Sequence, residues 1–343
     1  MKSKTFRSEN TTHYFNDSNR IFRVIDRFRS FYKIFSAVSK KGISEVDLIR
    51  SQFPYIFHDA SEPPILALEL TSYCNLKCLY CTNNTGGRKK EHMNESTFNQ
   101  VMKNIHSFKF KKRIQLVGNG ESTIHPNFED ILNQLTQSGN YISIVTNGNW
   151  IRDDIAEIIL NSKIDLIEFS IDAGGKDFYE KSRLQGDYNL LLKNVQKTFS
   201  LKQKLKSKTL INIRSLLRPS QINQFESEKK FWGQFSDRVM PQYLLKINNT
   251  EYNEDLFIPA QQKDDSYPKC SLPFKHMEVK NNGDVLMCYY SLYQLEPAGL
   301  PLGNINSSGL NELWNCQIMK NYRKAHRMRN ENLMPVCKGC PGT

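Results

Sequence analysis

The chain has 343 residues, of which 39% are hydrophobic and 24% charged, and its net charge at neutral pH is +12. This length and hydrophobic content are typical of a globular protein with a sizeable core. The sequence lacks the run of roughly 18 apolar residues that a membrane span needs, and it lacks the apolar core of a signal peptide. These features argue against an integral membrane protein or an exported one, and we expect a cytoplasmic protein.

The first 62 residues fall into two parts. Residues 1–18 are polar and show no periodicity, which predicts a disordered tail. Residues 19–62 form a basic helical leader, in which apolar residues recur at helical spacing over 19–39 with arginines on the other side. Such a helix packs on its own domain or lies on an anionic membrane, so peripheral contact with the inner membrane face through 19–39 stays open.

Short apolar runs alternate with amphipathic segments over residues 63–247, which is the pattern of βαβ units around a parallel sheet. Six strands are predicted, at residues 65–70, 113–118, 141–146, 164–171, 210–216 and 239–246. Helices are predicted between them, at residues 94–107, 128–138, 152–161, 189–202 and 221–234. Six units are fewer than the eight that close a full barrel. We therefore expect an α/β fold with a parallel sheet and too few units to close a full barrel.

Three cysteines follow the first predicted strand with the spacing C-x3-C-x2-C, namely Cys74, Cys78 and Cys81. Three thiols cannot form a closed set of disulfides, and a structural zinc site normally has four protein ligands. Thiolates also hold iron-sulfur clusters, and a [4Fe-4S] cube on three cysteines keeps one iron open for another ligand. A zinc knuckle that borrows a histidine such as His92 is the alternative.

This spacing, with the aromatic Tyr80 before the last cysteine, resembles the signature of the radical S-adenosylmethionine (SAM) superfamily. The resemblance implies a partial (β/α)6 TIM-like barrel and a [4Fe-4S] cluster whose open iron chelates the amino and carboxylate groups of SAM. In that family, reductive cleavage of SAM gives a 5′-deoxyadenosyl radical that abstracts hydrogen from the substrate. Tyr80 belongs to the predicted cofactor site.

Polar motifs also follow the later strands, at the edge where the ligands of such barrels bind. Gly118-Asn-Gly120-Glu121 resembles the family's GGE loop, which hydrogen-bonds the SAM ammonium, although Asn119 replaces the usual middle glycine. The glycines would let the backbone approach a ligand closely. By the same resemblance, the further SAM contacts are Asn147, Ser170, Asp172 and Arg183. Without their neighbours, these residues would be read as turn or cap residues.

Arg214 lies in the alternating fifth strand, where one face must look into the barrel. An inward arginine could meet the substrate, and it needs a partner if it is desolvated. A register error of one residue would point it outward. Arg214 is therefore a weak candidate for a catalytic or anion-binding residue.

Residues 248–269 are acidic and polar and read as a linker, and residues 270–343 carry four more candidate ligands. These are Cys270, Cys288, Cys337 and Cys340. An Asn-Gly turn between two short strands predicts a hairpin that returns Cys288 beside Cys270. Four thiols make a complete tetrahedral set, and spacing alone does not separate zinc from iron-sulfur.

This C-terminal segment resembles the auxiliary-cluster domain called SPASM or, in its short form, twitch. The resemblance implies a small C-terminal α+β iron-sulfur cap with one auxiliary [4Fe-4S] cluster. The eighth cysteine, Cys316, is predicted in the middle of a helix over residues 309–328. A buried cysteine is usually a small hydrophobe, but certain radical SAM epimerases use a cysteine as hydrogen-atom donor, so Cys316 is a second weak catalytic candidate.

The resemblance predicts a radical SAM enzyme with two [4Fe-4S] clusters, most similar to aminocyclitol dehydrogenases. It would oxidise or epimerise a sugar, cyclitol or nucleotide- or lipid-linked sugar, with electrons from a reductase, flavodoxin or ferredoxin. The positive charge favours an anionic small-molecule substrate. A peptide maturase that forms crosslinks or epimerised residues is the alternative. A zinc-stabilised RNA-binding protein is the alternative of another class, but the sequence lacks the concentrated arginine-aromatic patches of a nucleic-acid surface.

Overall fold

The computed structural model describes residues 60–81, 83, 89–243, 270–288, 301–333 and 337. The predicted tail, nearly all of the helical leader with its membrane-contact segment 19–39, the 248–269 linker and Cys340 lie outside these residues. Within the described part, no helix combines the length and the apolar character that crossing a membrane requires.

Eleven strands are present in the described residues. In chain order they are β1 (Ile65–Leu68), β2 (Lys77–Cys78), β3 (Arg113–Leu116), β4 (Tyr141–Thr146), β5 (Leu166–Asp172), β6 (Arg183–Leu184), β7 (Leu210–Leu217), β8 (Arg238–Tyr243), β9 (His276–Val279), β10 (Asp284–Leu286) and β11 (Gly303–Asn304). Nine of them form one sheet in the order β11-β10-β9-β1-β3-β4-β5-β7-β8, while β2 and β6 form a separate pair. The run from β9 to β8 is parallel throughout. This open parallel sheet confirms the predicted α/β partial barrel, and all six predicted strands are present.

Eight α-helices accompany the strands in the described residues. They are α1 (Glu95–Ser107), α2 (Phe128–Gln137), α3 (Ile155–Asn161), α4 (Gly175–Ser182), α5 (Tyr188–Lys204), α6 (Phe225–Trp232), α7 (Leu310–Trp314) and α8 (Gln317–Met328). The predicted helix at 221–234 begins instead as a 3-10 turn, Pro219–Gln224, and becomes α-helical only at Phe225. The short polar helix α4 was not predicted, because its sequence has two glycines before it settles into a helical pattern.

The two faces of the sheet differ in chemistry. One face carries the apolar strand residues, such as Leu66, Ile114 and Ile167, which are fully buried with helix residues in one core. The alternate residues of β3, β5 and β7 point to the opposite, inner face. They include Glu168, which accepts hydrogen bonds from both Gln115 and Arg214. The barrel therefore has an apolar shell under its helices and a polar interior.

The C-terminal segment continues the barrel sheet. β9 pairs in parallel with β1, and β10 and β11 follow as antiparallel neighbours. The predicted hairpin is present, but the sequence did not show that it would extend the sheet beside β1. Met277, Val279 and Val285 are fully buried in the same core as the barrel strands, so the hairpin and the barrel share one hydrophobic core.

The prediction of one continuous helix over 309–328 is wrong. Two helices are present, and the chain is extended at Cys316 (φ −65°, ψ 164°), which caps α8. Asn315 ends α7, where its side-chain amide donates to the Asn311 carbonyl (2.8 Å). Cys316 therefore lies at a break between two helices rather than in the middle of one.

Candidate active site

The three cysteines lie in a loop that leaves β1 and returns at His92, called here the cysteine loop (residues 71–92). Its base is closed by a bridge between Thr71 and His92, and the Ser72 N–H donates to the Glu91 carbonyl at 3.0 Å. The loop therefore starts at the carboxyl end of β1, as predicted for the ligand-binding edge of the barrel.

Cys74 has polar neighbours both in its own loop and in the segment that follows β4. Its sulfur accepts from the Leu76 N–H (3.4 Å) and from the side-chain amide of Asn147 (3.8 Å). The same amide group donates to Asn75 Oδ1 at 2.9 Å. Asn147 follows β4, so the structure brings this predicted cofactor residue against the predicted cluster ligand.

Glu121 fixes the loop that carries Asn147. Its Oε2 accepts from the Asn147 N–H (2.8 Å), and its Oε1 accepts from the hydroxyls of Thr146 and Thr123 (2.8 Å each). Burial raises the pKa of Glu121 above its ordinary value, while these donors act in the opposite direction. A carboxylate oxygen can accept two hydrogen bonds, so Oε2 retains capacity for an ammonium group.

The two glycines of the Gly118–Glu121 segment are required by protein packing. A Cβ at Gly120 would lie 2.1 Å from the Thr71 carbonyl oxygen, and a Cβ at Gly118 would lie 2.4 Å from Glu69 Cγ. The Glu121 N–H donates to the Tyr73 carbonyl at 2.8 Å. The glycines therefore let this segment lie closely against Glu69 and the cysteine loop.

Asp172, Arg183, Tyr80 and Ser170 form one buried polar cluster. Asp172 Oδ1 accepts from Arg183 Nε (2.7 Å) and from the Tyr80 hydroxyl (2.6 Å), while a terminal nitrogen of Arg183 donates to Ser170 Oγ at 3.0 Å. Asp172 and Arg183 are almost fully buried, so the ion pair is shielded from water. The four residues predicted from separate motifs are therefore brought together.

The small sheet of β2 and β6 holds this cluster beside the cysteines. Cys78 pairs directly with Arg183 in the antiparallel register, and the Leu79 N–H donates to the Ser182 carbonyl at 2.9 Å. The unpredicted helix α4 makes this possible, because it returns the chain from Asp172 to Arg183. Short-range sequence patterns did not reveal it.

Burial makes deprotonation of the cysteine thiols unfavourable unless a positively charged group stabilises the thiolates. It raises the pKa of Cys74 to about 12 and that of Cys78 to about 11, with the charge of Glu121 adding to the shift at Cys74. Thiolate ligands must be deprotonated, and the charge of a metal cluster supplies that stabilisation. The donor set therefore fits an iron-sulfur cluster.

The zinc alternative would use a histidine such as His92 as its fourth ligand. His92 instead packs its ring on Tyr73 (4.7 Å between centroids) and on His125 (5.1 Å).

Arg214 points inward, which is one of the two orientations that the sequence allowed. It is already paired with Glu168. Its guanidinium donates to both oxygens of Glu168 at 2.9 Å, and Gln115 donates to the same carboxylate at 3.2 Å. About a third of the Arg214 side chain is exposed, whereas Glu168 is buried. Arg214 is therefore part of an ion pair on the inner face, and Glu168 already neutralises the charge with which Arg214 would bind an anion.

The second cysteine set is partly assembled in the described residues. Cys270 and Cys288 are buried at the two ends of the hairpin, and Cys337 packs against the same core. Burial raises the pKa of Tyr322, and the charges of Cys337 and Cys288 add to this shift. Cys316 is half-buried and packs on the core at its own position.

Comparison with known proteins agrees with this geometry. The family profile described as the radical SAM superfamily matches residues 68–213, and the profile described as an iron-sulfur cluster-binding domain, SPASM, matches residues 270–341. The chain therefore carries a radical SAM domain followed by a SPASM domain. Members of the radical SAM superfamily are enzymes; the radical SAM domain binds SAM and a [4Fe-4S] cluster, and the SPASM domain binds further iron-sulfur clusters.

Individual relatives of this radical SAM chain are distant. It is 32% identical over 107 residues to the tungsten-containing aldehyde ferredoxin oxidoreductase cofactor-modifying protein of Pyrococcus furiosus, covering 31% of this chain and 30% of that protein. A GTP 3',8-cyclase of Clostridium botulinum is 26% identical over 150 residues, covering 43% of this chain and 47% of the relative. The alignments thus span less than half the length of these curated relatives.

Two solved structures share the fold over most of the chain. BtrN in complex with AdoMet and 2-DOIA has a TM-score of 0.56 and 18% identity, and the match covers 82% of this chain and 94% of BtrN. Streptococcus suis SuiB bound to precursor peptide SuiA has a TM-score of 0.57 and 14% identity, with 88% of this chain and 77% of SuiB covered. At these identities the likeness shows the fold alone.

Proposed function

We propose that this radical SAM enzyme oxidises or epimerises a sugar, cyclitol or nucleotide- or lipid-linked sugar at a carbon that bears a hydroxyl group. The polar inner face of the barrel carries this proposal. Gln115, Glu168, Ser170 and Arg214 offer both donors and acceptors there, which suits a polyhydroxylated substrate better than an apolar one. The fold shared with BtrN, whose structure contains 2-DOIA, supports the same substrate class.

Cys74, Cys78 and Cys81 would hold the SAM-binding [4Fe-4S] cluster, and Cys270, Cys288, Cys337 and Cys340 the auxiliary one. When bound, the first cluster and SAM supply a radical that takes a hydrogen atom from the substrate. Glu121 orients the Asn147 loop against Cys74, and Asp172 orients Arg183 beside Ser170. We propose that Gly118, Gly120, Glu121, Asn147, Ser170, Asp172 and Arg183, together with Tyr80, form the SAM site.

The partners are inferred from the chemistry. A strong one-electron donor, such as a reductase, flavodoxin or ferredoxin, must feed the first cluster. Free thiol ligands persist in a reducing compartment, which supports a cytoplasmic location. The net charge of +12 favours an anionic small substrate. Cys316 has a weaker claim as hydrogen-atom donor, because no described contact joins it to the polar inner face.

A peptide maturase is the second candidate. SuiB, which shares the fold over 88% of this chain, was solved with its precursor peptide, and mycofactocin maturases also match part of the sequence. The zinc-stabilised RNA-binding protein is not proposed, since both matched domains are radical SAM and iron-sulfur domains.

One experiment tests the proposal. Anaerobically reconstituted enzyme would be incubated in deuterated water with SAM, a strong reductant and a panel of cyclitols and nucleotide sugars. We expect 5′-deoxyadenosine from the wild type and none from Cys78→Ala. Oxidation would lower the substrate mass by two units, whereas epimerisation would raise it by one through solvent deuterium.

Two results would contradict the proposal. Equal 5′-deoxyadenosine from both proteins would remove Cys78 from the cluster. Turnover confined to a peptide, with every sugar unchanged, would make the maturase the better description.

A further inference from the structure

A buried ion triad joins the C-terminal hairpin to the barrel. Lys280 Nζ lies 2.6 Å from Glu69 Oε2 and 2.7 Å from Glu278 Oε1, and none of the three side chains is more than 2% exposed. Burial alone lowers the pKa of Lys280, but the two carboxylates outweigh it and raise the pKa above its ordinary value. Lys280 is therefore a charged link between β9 and β1.

The triad is a consequence of strand register. β9 runs parallel to β1 with Val279 beside Leu68, so the next residues, Lys280 and Glu69, are also neighbours. Lys280 begins the turn of the hairpin, and Gly283 closes that turn through its N–H bond to the Lys280 carbonyl (2.9 Å). The hairpin thus delivers a cation to the carboxyl end of β1, directly before the cysteine loop.

Glu69 also binds the Gly118–Glu121 segment. Its Oε2, the oxygen nearest to Lys280, also accepts from the Asn119 N–H at 2.8 Å. The close fit of Gly118 against Glu69 Cγ leaves no room for the segment to shift toward the side chain. Glu69 therefore contacts the segment that carries Glu121 through both its carboxylate and its Cγ atom.

The next turn residue holds the other end of the cysteine loop. Asn281 is buried, and its amide donates to the Glu91 carbonyl at 2.9 Å. That carbonyl also accepts from the Ser72 N–H, which closes the base of the loop. The hairpin turn therefore contacts the chain just before the cysteine loop, at Glu69, and the end of the loop, at Glu91.

We propose that Lys280 is a positioning residue for SAM binding, acting through Glu69 on the Gly118–Glu121 segment. The charge of Lys280 holds the Glu69 carboxylate where it accepts from the Asn119 N–H. Removing that charge leaves two buried carboxylates near each other, and their repulsion displaces Glu69 and the segment with it. This inference rests on the proposed assignment of Gly118–Glu121 as the loop that receives the SAM ammonium.

The test compares four reconstituted full-length proteins: wild type, Lys280→Met, Glu69→Gln and the control Asn282→Ala. Asn282 lies in the same turn but is exposed. Glu69→Gln keeps the side-chain size but removes the charge by which Lys280 holds residue 69 at the Asn119 N–H. Lys280 stays paired with Glu278 in this variant, so it tests the proposal if Lys280→Met does not fold. For each protein we would measure iron per chain, the SAM dissociation constant by equilibrium dialysis and the EPR spectrum of the reduced cluster with increasing SAM.

We expect Lys280→Met and Glu69→Gln to keep their iron but to bind SAM about tenfold more weakly, which is within the usual range for residues that act through others. The SAM-induced change in the EPR spectrum should need correspondingly more SAM, while Asn282→Ala matches the wild type. The inference is overturned if both variants bind SAM as the wild type does, or if affinity falls only in proportion to lost iron. Wild-type protein that holds iron but binds no SAM would instead overturn the proposed function.

Discussion

Gly120 shows how one residue fixes the geometry of the site. A side chain there would overlap two backbone carbonyl oxygens of the cysteine loop, those of Thr71 and Tyr73, at 2.1 and 2.5 Å. Backbone atoms cannot move aside as a flexible side chain can. The contact keeps the Glu121 segment against the loop that carries Cys74.

We predict that Gly120→Ala costs about 3 kcal/mol of the free energy of unfolding, by forcing the two segments apart. It should also lower the iron bound per chain after reconstitution. Gly309→Ala is the matched control, since the nearest atom to its Cβ is Asn104 Oδ1 at an ordinary 3.5 Å. Calorimetry and iron analysis would check both; equal stability of the two variants would show that the loops separate without cost.

Helix α1 begins with a side-chain cap. Asn94 is extended, and its Oδ1 accepts from the Thr97 N–H at 2.8 Å, satisfying one of the free donors of the first turn. The same helix supports the C-terminal segment, because Asn104 Oδ1 accepts from the Leu310 N–H at 2.7 Å. Stability of α1 therefore affects both parts of the molecule.

For α1 we expect Asn94→Ala to reduce the free energy of unfolding by about 1 kcal/mol, the usual contribution of an N-cap side chain to stability. Asp154→Ala is a suitable comparison, because Asp154 stands at the N-cap of α3 but makes no capping bond. Thermal unfolding should show a lower Tm for the first variant and little change for the second. A larger loss from Asp154→Ala would mean that its exposed pair with Arg152 matters more than such pairs usually do.

At the scale of the whole molecule, the barrel and the C-terminal hairpin form one sheet. β1 has β3 on one side and β9 on the other, and the Ile65 and Glu69 N–H groups donate to the Lys275 and Val279 carbonyls at 2.9 Å each. Trp314 adds a bond from its indole to the Ala60 carbonyl at 2.7 Å. Removing the C-terminal part would expose a central strand.

A chain that ends at residue 243 should therefore fail to fold as a monomer, because β1 becomes an unprotected edge and the buried carboxylate of Glu69 loses Lys280. Size-exclusion chromatography and near-ultraviolet circular dichroism would compare it with the full chain. A monomeric fragment with a cooperative thermal transition would show that the barrel is an independent domain.

The sequence by itself determined much of the local structure and the kind of chemistry. Alternating apolar residues predicted the six barrel strands, because strand periodicity is a local property. The spacing of Cys74, Cys78 and Cys81 predicted the cluster loop, since ligands that lie close in sequence need little help from the fold to meet. The Asn-Gly turn located the hairpin in the same way, from neighbouring residues alone.

Contacts between distant segments were decided only by the tertiary structure. The pairing of Lys280 with Glu69 spans more than two hundred residues and depends on β9 joining β1, which no local pattern specifies. The pairing of Arg214 with Glu168 depends on the register of β5 and β7, and that of Arg183 with Asp172 on the turn made by α4. Local sequence sets which residues can form a strand or loop, whereas burial of the whole chain selects which of them become neighbours.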